Sequence, residues 1–332
     1  MSRDLFARGE RWPLSRPFRI ARGVKTAADV VVVEARDGDH AGMGESVPYA
    51  RYGESIESVL AQIASVANAF AAGMTRAELQ AKLPPGAARN AIDCALWDLD
   101  AQQTGRSVAE LAGIAAVSEV ITAVTVSLDD PERMGEAAAA IAAAPLIKVK
   151  VNAEAPLAAI EAVRAAAPKA RLIVDPNESW SPDLLIALLP RLAALDIALI
   201  EQPIATDLDA ALEGANSPVP ICADESAHTA GDLDRVARRY QAINIKLDKT
   251  GGLTEALAMR SRAHEMGLTL MIGCMVATSL SIVPALLLTE GVAFVDLDGP
   301  WWLTQDRTNG VLFKDGRMHA PSDGWGQVRT QV

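Results

Sequence analysis

Pro145-Leu146-Ile147-Lys148-Val149-Lys150 is a short apolar run that ends in two lysines, and it begins a series. The later members are Ile173-Val174-Asp175, Leu199-Ile200-Glu201, Ile221-Cys222-Ala223-Asp224 and Ile243-Asn244-Ile245-Lys246. Each run has β-strand character, each later run ends in one charged residue, and the runs recur at about the period of a βα unit. The series therefore predicts parallel strands whose charged side chains gather at one end of the sheet.

The same rhythm continues on both sides of this series. Further strands are predicted at 120–126, 268–272 and 292–297, and helices at 156–166, 182–194, 207–213, 230–240 and 254–266. Eight strands at a βα period predict a parallel α/β barrel. An open doubly wound sheet is the alternative, but it needs a glycine-rich phosphate loop after the first strand, and Ser127-Leu128-Asp129-Asp130 is not one.

The residues before residue 113 have a different pattern. Strands at 30–34 and 42–46, joined at Asp37-Gly38-Asp39, predict a hairpin. Helices are predicted at 55–71, 75–83 and 87–103 from their apolar spacing and capping residues. We expect an N-terminal α+β capping domain at 1–112, a barrel at 113–306 and a tail at 307–332, whose hairpin at 311–318 returns to the first domain.

The bulk composition limits the classes of partner. The chain has 332 residues, of which 50% are hydrophobic, and a net charge of −11. This charge argues against nucleic acid or an anionic membrane as the main partner. No apolar run reaches the ~20 residues of a membrane span, and no secretion signal is evident. Cys94, Cys222 and Cys274 lack paired spacing. We expect a cytoplasmic protein with a small-molecule partner, and the oligomeric state, a homo-oligomer included, stays open.

Three carboxylates follow three consecutive strands of the series: Asp175, Glu201 and Asp224. In parallel barrels the functional residues lie at the carboxyl ends of the strands. A single acid there is usually solvated or caps the backbone, but three in register predict a metal site. Hard oxygen ligands suit Mg²⁺, and the absence of histidine or cysteine from the set argues against zinc.

Three lysines accompany the acids. Lys148 and Lys150 are two residues apart on one strand, so both point to the same face. Ammonium groups side by side near a divalent cation should lose proton affinity, which suits a general base. Lys246 lies on the sixth strand, across the barrel. Bases on opposite faces of one carbon can remove a proton from one side and return one to the other, whereas an isolated lysine would be interpreted as merely exposed.

Together these motifs resemble the enolase superfamily, in its muconate-lactonizing-enzyme subgroup. The resemblance covers nearly the whole chain and also rests on Ala91-Ile92-Asp93-Cys94-Ala95-Leu96-Trp97-Asp98, Asp175-Pro176-Asn177, Glu201-Gln202-Pro203, Ala223-Asp224-Glu225-Ser226 and the segment from Lys246 to Gly252. It implies a (β/α)7β barrel with one Mg²⁺ per subunit, which binds a substrate carboxylate and stabilises the enediolate formed when the α-proton leaves. The implied roles are metal binding by Asp175, Glu201 and Asp224, acid/base chemistry by Lys150 and Lys246, charge support by Lys148, and outer-shell positions for Asn177 and Gln202.

The last strand distinguishes between members of this subgroup. Asp296-Leu297-Asp298 places two carboxylates on one face, which suits a cationic group. It resembles the Asp-x-Asp of the L-Ala-D/L-Glu-type dipeptide epimerases, which hold the α-ammonium of a dipeptide and serve murein peptide recycling. The resemblance implies 1,1-proton transfer at the α-carbon of the C-terminal residue. It also implies Arg22 as a ligand for a side-chain carboxylate, before Lys25 or Arg51, and Thr125 as a hydrogen-bonding group.

Three alternatives stay open. The two acids can instead cap backbone N–H groups. An N-acylamino-acid racemase or a cycloisomerase of the same superfamily would not need them. A catalytically silent peptide-binding protein would not need the lysine pair. The loops near 20–26 and 48–55 are expected to set specificity, because loops vary most between relatives.

Overall fold

The computed structural model describes residues 3–328. Its strands form three sheets: a three-stranded antiparallel sheet, an eight-stranded parallel sheet, and a second three-stranded sheet that includes the tail. The eight-stranded sheet confirms the predicted α/β barrel and excludes the doubly wound alternative.

The first sheet and the helices that follow it form the N-terminal α+β part. Its elements are β1 (Arg3–Ile20), β2 (Gly23–Asp37), β3 (His40–Ser46), α1 (Ile56–Ser65), α2 (Ala67–Ala71), α3 (Arg76–Lys82), α4 (Ala87–Thr104) and α5 (Val108–Ala112). The hairpin of β2 and β3 is confirmed. The helix predicted at 55–71 is broken at Val66 into α1 and α2. The long strand β1 was not predicted, because charged residues and prolines interrupt its alternation.

Helix α4 packs closely on β3. A side chain at Gly42 or Gly44 would overlap the backbone of Ala91 or Ala95 on that helix. The first core includes Val31, Val59, Phe70, Leu79, Ile92 and Leu99. This packing fixes the sheet, and with it the turn between β1 and β2 that overhangs the barrel.

The barrel alternates strands with helices. Its elements are β4 (Glu119–Ile121), β5 (Val124–Val126), α6 (Pro131–Ala140), β6 (Leu146–Lys150), α7 (Pro156–Ala166), β7 (Arg171–Asp175), α8 (Pro182–Ala194), β8 (Ile197–Glu201), β9 (Ile221–Ala223), α9 (Leu233–Val236), β10 (Ala242–Ile245), α10 (Leu247–Thr250), α11 (Leu253–Glu265), β11 (Thr269–Gly273), α12 (Ser279–Leu286) and β12 (Phe294–Asp296). The strand order from β5 to β12 follows the chain. Ala123 N donates to Val295 O at 2.8 Å and so joins the two ends. In this ring β6 and β10 are opposite each other, with three strands between them on either side.

Three elements predicted for the barrel differ from the structure. The strand expected at 120–126 is two strands, since β4 leaves the barrel to pair with the tail. The helix expected at 207–213 is a single 3-10 turn at Asp209–Leu212. The helix expected at 230–240 consists of a 3-10 turn and the four-residue α9. The last two are short connections in which tertiary contacts override local helical spacing.

The tail forms the predicted hairpin, with β13 (Leu312–Lys314) and β14 (Arg317–His319). The hairpin itself pairs with β4, whereas the residues after it reach the first part of the chain. Trp325 Nε1 donates to Met43 O at 2.8 Å. The domain boundaries at 112 and 306 stay a prediction, and residues 1–2 and 329–332 of the predicted ranges lie outside the described residues. Within 3–328, no helix is long and apolar enough to cross a membrane.

Asp248 connects the barrel to the N-terminal part. Its buried carboxylate accepts from Val47 N at 2.8 Å and from Asn90 Nδ2 at 2.9 Å. Burial raises the pKa of Asp248 to about 7, although these hydrogen bonds lower it. The protonated acid is therefore favoured in the folded protein over a range in which the unfolded chain is ionised.

We expect this acid to make the fold less stable as pH rises. Between about pH 4 and pH 7 the folded state binds the proton that the unfolded state has lost, so the free energy of unfolding falls as pH rises. Asp248→Asn keeps an acceptor oxygen but cannot ionise, so it should flatten this slope by up to about 4 kcal/mol over the range. Urea unfolding of both proteins at pH 4 and pH 8 measures the difference. Equal slopes would contradict the assignment.

Candidate active site

One pocket lies at the carboxyl ends of the barrel strands, beneath the turn after β1 and the 48–55 loop. Nine of the twelve predicted site residues line it: Arg22, Thr125, Lys148, Lys150, Asn177, Asp224, Lys246, Asp296 and Asp298. The other three, Asp175, Glu201 and Gln202, are buried around its floor. The strand periodicity thus brings the predicted residues to one place, and their roles stay predictions.

Lys148 is held among carboxylates. Its Nζ lies 3.0 Å from Asp175 Oδ2, 2.6 Å from Glu201 Oε2 and 2.7 Å from Asp296 Oδ2, with the side chain 2% exposed. Burial alone would lower the pKa of Lys148, but the three carboxylates outweigh it and hold the pKa well above its usual range. Lys148 is therefore a fixed positive charge at the floor of the pocket.

The other two lysines stand on opposite walls. Lys150 Nζ on β6 lies 2.5 Å from Asp175 Oδ2, and Lys246 Nζ, directly after β10, lies 2.8 Å from Asp224 Oδ2. Burial lowers the pKa of Lys246, but the carboxylate of Asp224 outweighs it, so the pKa lies above its ordinary value. The buried acids around Lys148 and Lys246 thus oppose the expected loss of proton affinity.

The three predicted metal ligands fit a hard divalent cation in type and charge. Among residues 3–328, no three acidic, cysteine or histidine side chains are close enough together to hold an ion. However, Glu201 Oε2 is buried and accepts no hydrogen bond from any described residue; its contact with Lys148 is an ion pair only. Burial and the Asp175 carboxylate raise the pKa of Glu201. This surplus of negative charge is what a divalent cation would neutralise.

Two residues that the sequence analysis did not assign hold these acids in place. Asn244 Nδ2 donates to Glu201 Oε1 at 2.9 Å. Lys249 is fully buried and its Nζ lies 2.7 Å from Asp224 Oδ1 and 2.8 Å from Asn244 O. Asn244 was recognisable in principle, because it shares the strand face of Lys246 in an otherwise apolar strand.

The predicted outer-shell residues support the loops behind the acids. Gln202 Oε1 accepts from Asp224 N at 2.9 Å, and its Nε2 donates to Tyr240 OH at 2.9 Å. Asn177 N donates to Asp175 Oδ1 at 2.9 Å, while its side chain lines the pocket. Both have left-handed backbone angles, with φ of 31° at Gln202 and 48° at Asn177. Such strained positions are typical of functional sites.

The two acids at the end of the last barrel strand, Asp296 and Asp298, make different contacts. Asp296 Oδ2 contacts Lys148, whereas its buried Oδ1 has no hydrogen-bond partner among the described residues. Asp298 Oδ2 accepts from Thr125 N at 2.8 Å and from Trp302 Nε1 at 3.3 Å. Burial and Asp296 raise the pKa of Asp298 to about 6. Asp298 therefore does cap a backbone N–H group, and it also faces the pocket beside an unsatisfied carboxylate oxygen.

Arg22 donates hydrogen bonds to four other residues of the protein. Its Nη2 donates to Glu225 Oε1 at 2.6 Å and to Tyr49 OH at 3.1 Å. Its Nη1 donates to Asn177 O at 2.8 Å and to Glu178 Oε2 at 3.1 Å. The prediction that Arg22 binds a substrate carboxylate stays a prediction.

Glu178 also contacts the 48–55 loop. Arg51 donates from Nε and Nη2 to the two oxygens of Glu178, both at 2.9 Å, and Thr206 N donates to Oε1 at 3.2 Å. Glu178 has a φ of 67° and is almost buried. The Glu178 carboxylate of the barrel therefore anchors both the turn after β1 and the 48–55 loop above the pocket.

Comparison with known families agrees with this geometry. Residues 132–328 match the model described as enolase C-terminal domain-like, and residues 2–113 match the N-terminal domain of mandelate racemase/muconate lactonizing enzyme. The chain belongs to the enolase superfamily. Its relatives in this superfamily include the L-Ala-D/L-Glu epimerase of Escherichia coli K12, 50% identical over 93% of this chain and 97% of the relative. Another is the N-acetyl-D-glutamate racemase of a Pseudoalteromonas species, 45% identical over 87% and 92%.

Solved structures of the superfamily share the whole fold. An enolase family member from Agrobacterium tumefaciens, described with bound sodium and L-Ala-L-Glu, superimposes with a TM-score of 0.94 at 50% identity, covering 96% of this chain and 98% of that one. The dipeptide epimerase of Enterococcus faecalis, complexed with Mg and L-Leu-L-Tyr, gives 0.89 at 28% identity, covering 98% and 99%. The enolase superfamily thus includes close structural neighbours that hold dipeptides.

Proposed function

We propose that this protein is a Mg²⁺-dependent dipeptide epimerase of the L-Ala-D/L-Glu type, acting by 1,1-proton transfer at the α-carbon of the C-terminal residue. The observation that carries this is the position of Lys150 and Lys246 on opposite strands of a closed barrel, with buried acids between them. The names of the 50% identical relative and of the structural neighbours support it.

The two lysines give the site two faces. A substrate α-carbon held between β6 and β10 presents one face to Lys150 and the other to Lys246. One lysine removes the α-proton as the neutral amine and the other, as the ammonium, delivers a proton from the opposite side, which inverts the carbon. Lys148 is held positive by its carboxylates and stabilises negative charge that develops on the substrate.

The metal completes this electrostatic arrangement. Asp175, Glu201 and Asp224 are the residues that would hold Mg²⁺, positioned by Asn244 and Lys249. When bound, the ion supplies positive charge for the oxygens of the substrate carboxylate.

The substrate's α-ammonium is proposed to lie against Asp296 and Asp298. The unpartnered Asp296 Oδ1 supports this position, because a buried carboxylate oxygen without a donor favours a cationic ligand. Thr125 donates its backbone N–H to Asp298. On this side of the pocket it is proposed as a further group that hydrogen-bonds the substrate.

A second candidate is an N-acylglutamate racemase, because the 45% identical relative is named N-acetyl-D-glutamate racemase. Such a substrate has the same glutamate α-carbon but no ammonium group. The two candidates therefore differ in their use of Asp298, and this difference makes them separable.

Asp298→Asn should distinguish these substrates. The amide keeps an acceptor for Thr125 N but removes the negative charge, so kcat/KM for L-Ala-L-Glu should fall by about 10- to 100-fold, and that for N-acetylglutamate much less. Proton NMR in D₂O with Mg²⁺ measures loss of the glutamate α-proton signal for each. Wild-type exchange with N-acetylglutamate and with no dipeptide would exclude the epimerase.

We further propose that the activity is cytoplasmic and serves the recycling of murein peptides. The free thiols of Cys94, Cys222 and Cys274 support a reducing compartment. The acidic charge of the chain is consistent with a small-molecule partner rather than nucleic acid or membrane.

A further inference from the structure

Lys25 is an unpaired cation in the pocket wall. Five cationic residues line the pocket, namely Arg22, Lys25, Lys148, Lys150 and Lys246. Four of them have carboxylate partners within ion-pair distance. Within residues 3–328, the Lys25 ammonium makes neither a hydrogen bond nor an ion pair, and its Nζ lies 5.1 Å from the centroid of the Tyr49 ring.

The backbone places Lys25 near the two proposed bases. On β2 it is paired directly with Phe18 of β1, so the two side chains share a face. The Phe18 ring centroid lies 6.0 Å from Lys150 Nζ. Lys246 is close enough to repel the Lys25 charge. A side chain on the carbon that faces both bases can therefore reach Lys25.

The charge of Lys25 is poorly compensated. Burial lowers the pKa of Lys25; Asp248 and Asp29 counter this only from beyond ion-pair distance, and Lys246 and Arg22 add repulsion. A half-buried ammonium with no partner favours an anionic ligand. Arg22, by contrast, already donates to Glu225, Glu178, Asn177 O and Tyr49 OH.

We infer that the Lys25 ammonium receives the side-chain carboxylate of the substrate's C-terminal residue and so selects acidic residues at that position. The inference rests on the proposed function and deepens it. In this arrangement Arg22 holds the loops above the pocket in place. The positive charge of Lys25 distinguishes a glutamate side chain from the neutral side chain of glutamine.

Lys25→Met tests this, because it keeps an unbranched side chain of similar length and removes the charge. The measured quantity is the ratio of kcat/KM for L-Ala-L-Glu to that for L-Ala-L-Gln. We expect this ratio to fall about 10- to 100-fold, the range of a charged hydrogen bond. Lys25→Gln repeats the test with a polar side chain, and Lys25→Glu should favour L-Ala-L-Lys. Lys169→Met, at an exposed position, is the matched control.

The same assay with Arg22→Met separates the two cations. We expect similar losses for both dipeptides, because a loop contact is broken whichever substrate is present. An unchanged Glu/Gln ratio in the Lys25 variants, or a fall in this ratio in Arg22→Met instead, would overturn the inference. Wild-type protein that exchanges no dipeptide α-proton would overturn the proposed function itself, which is a separate result.

Discussion

Replacing Lys150 or Lys246 by alanine should abolish epimerisation of L-Ala-L-Glu. Each lysine serves one face of the α-carbon, so inversion needs both, and the loss of a general acid–base group costs about 10²- to 10⁴-fold in rate. Neither variant leaves a buried acid without a cation, because Asp175 keeps Lys148 at 3.0 Å and Asp224 keeps Lys249 at 2.7 Å. The fold should therefore survive both changes.

Exchange of the substrate α-proton with solvent shows which face of the α-carbon each lysine serves. In D₂O each variant should retain slow α-proton exchange with only one of the two stereoisomers, L-Ala-L-Glu or L-Ala-D-Glu, and the two variants should prefer opposite ones. Proton NMR of both dipeptides, with Lys82→Ala as an exposed control, measures this. Full epimerisation by either variant would remove that lysine from the mechanism.

Removing one metal ligand should have an effect of similar size. In Glu201→Gln the side chain can still accept from Asn244 Nδ2, but the buried charge is lost. We expect epimerisation to fall by about 10³-fold or more, comparable to the loss of a major electrostatic group. Chelation of Mg²⁺ from the wild-type protein should cause the same loss, and added Mg²⁺ should restore it.

Binding can be followed without turnover. Mg²⁺ at about 100 times its dissociation constant should stabilise the wild-type fold by about 2.7 kcal/mol, seen as a higher thermal unfolding midpoint. Glu201→Gln should show no such shift, whereas Glu213→Gln, at an exposed acid, should behave as wild type. A wild-type shift in Glu201→Gln would argue against this carboxylate as a ligand.

The positions of the site residues followed from strand periodicity. Lys148, Lys150 and Asp175 were predictable because alternation along a strand and the shared carboxyl edge of a parallel barrel place them together. The family resemblance, rather than spacing, suggested their roles. Lysine pKa values could not be inferred, because they depend on how many buried acids surround each ammonium group, as at Lys148.

Contacts between the N-terminal part and the barrel could not be predicted from the sequence. Nothing in the local pattern indicates that Arg22 meets Glu225 and Glu178 while Lys25 meets neither. Such pairing depends on where the turn after β1 lies above the barrel, which is set by the packing of β3 against α4. The strand β1 was missed for a related reason, since its partner β2 rather than its own composition makes it a strand.

Glu178 has a consequence for the support of the two loops above the pocket. Arg22 and Arg51 come from different loops, yet both end on this one carboxylate, which the barrel holds in a strained backbone conformation. The loops also contact each other, because Arg22 Nη2 donates to Tyr49 OH at 3.1 Å. The two loops therefore share one anchor on the barrel, and a change at Glu178 alters the support of both loops at once.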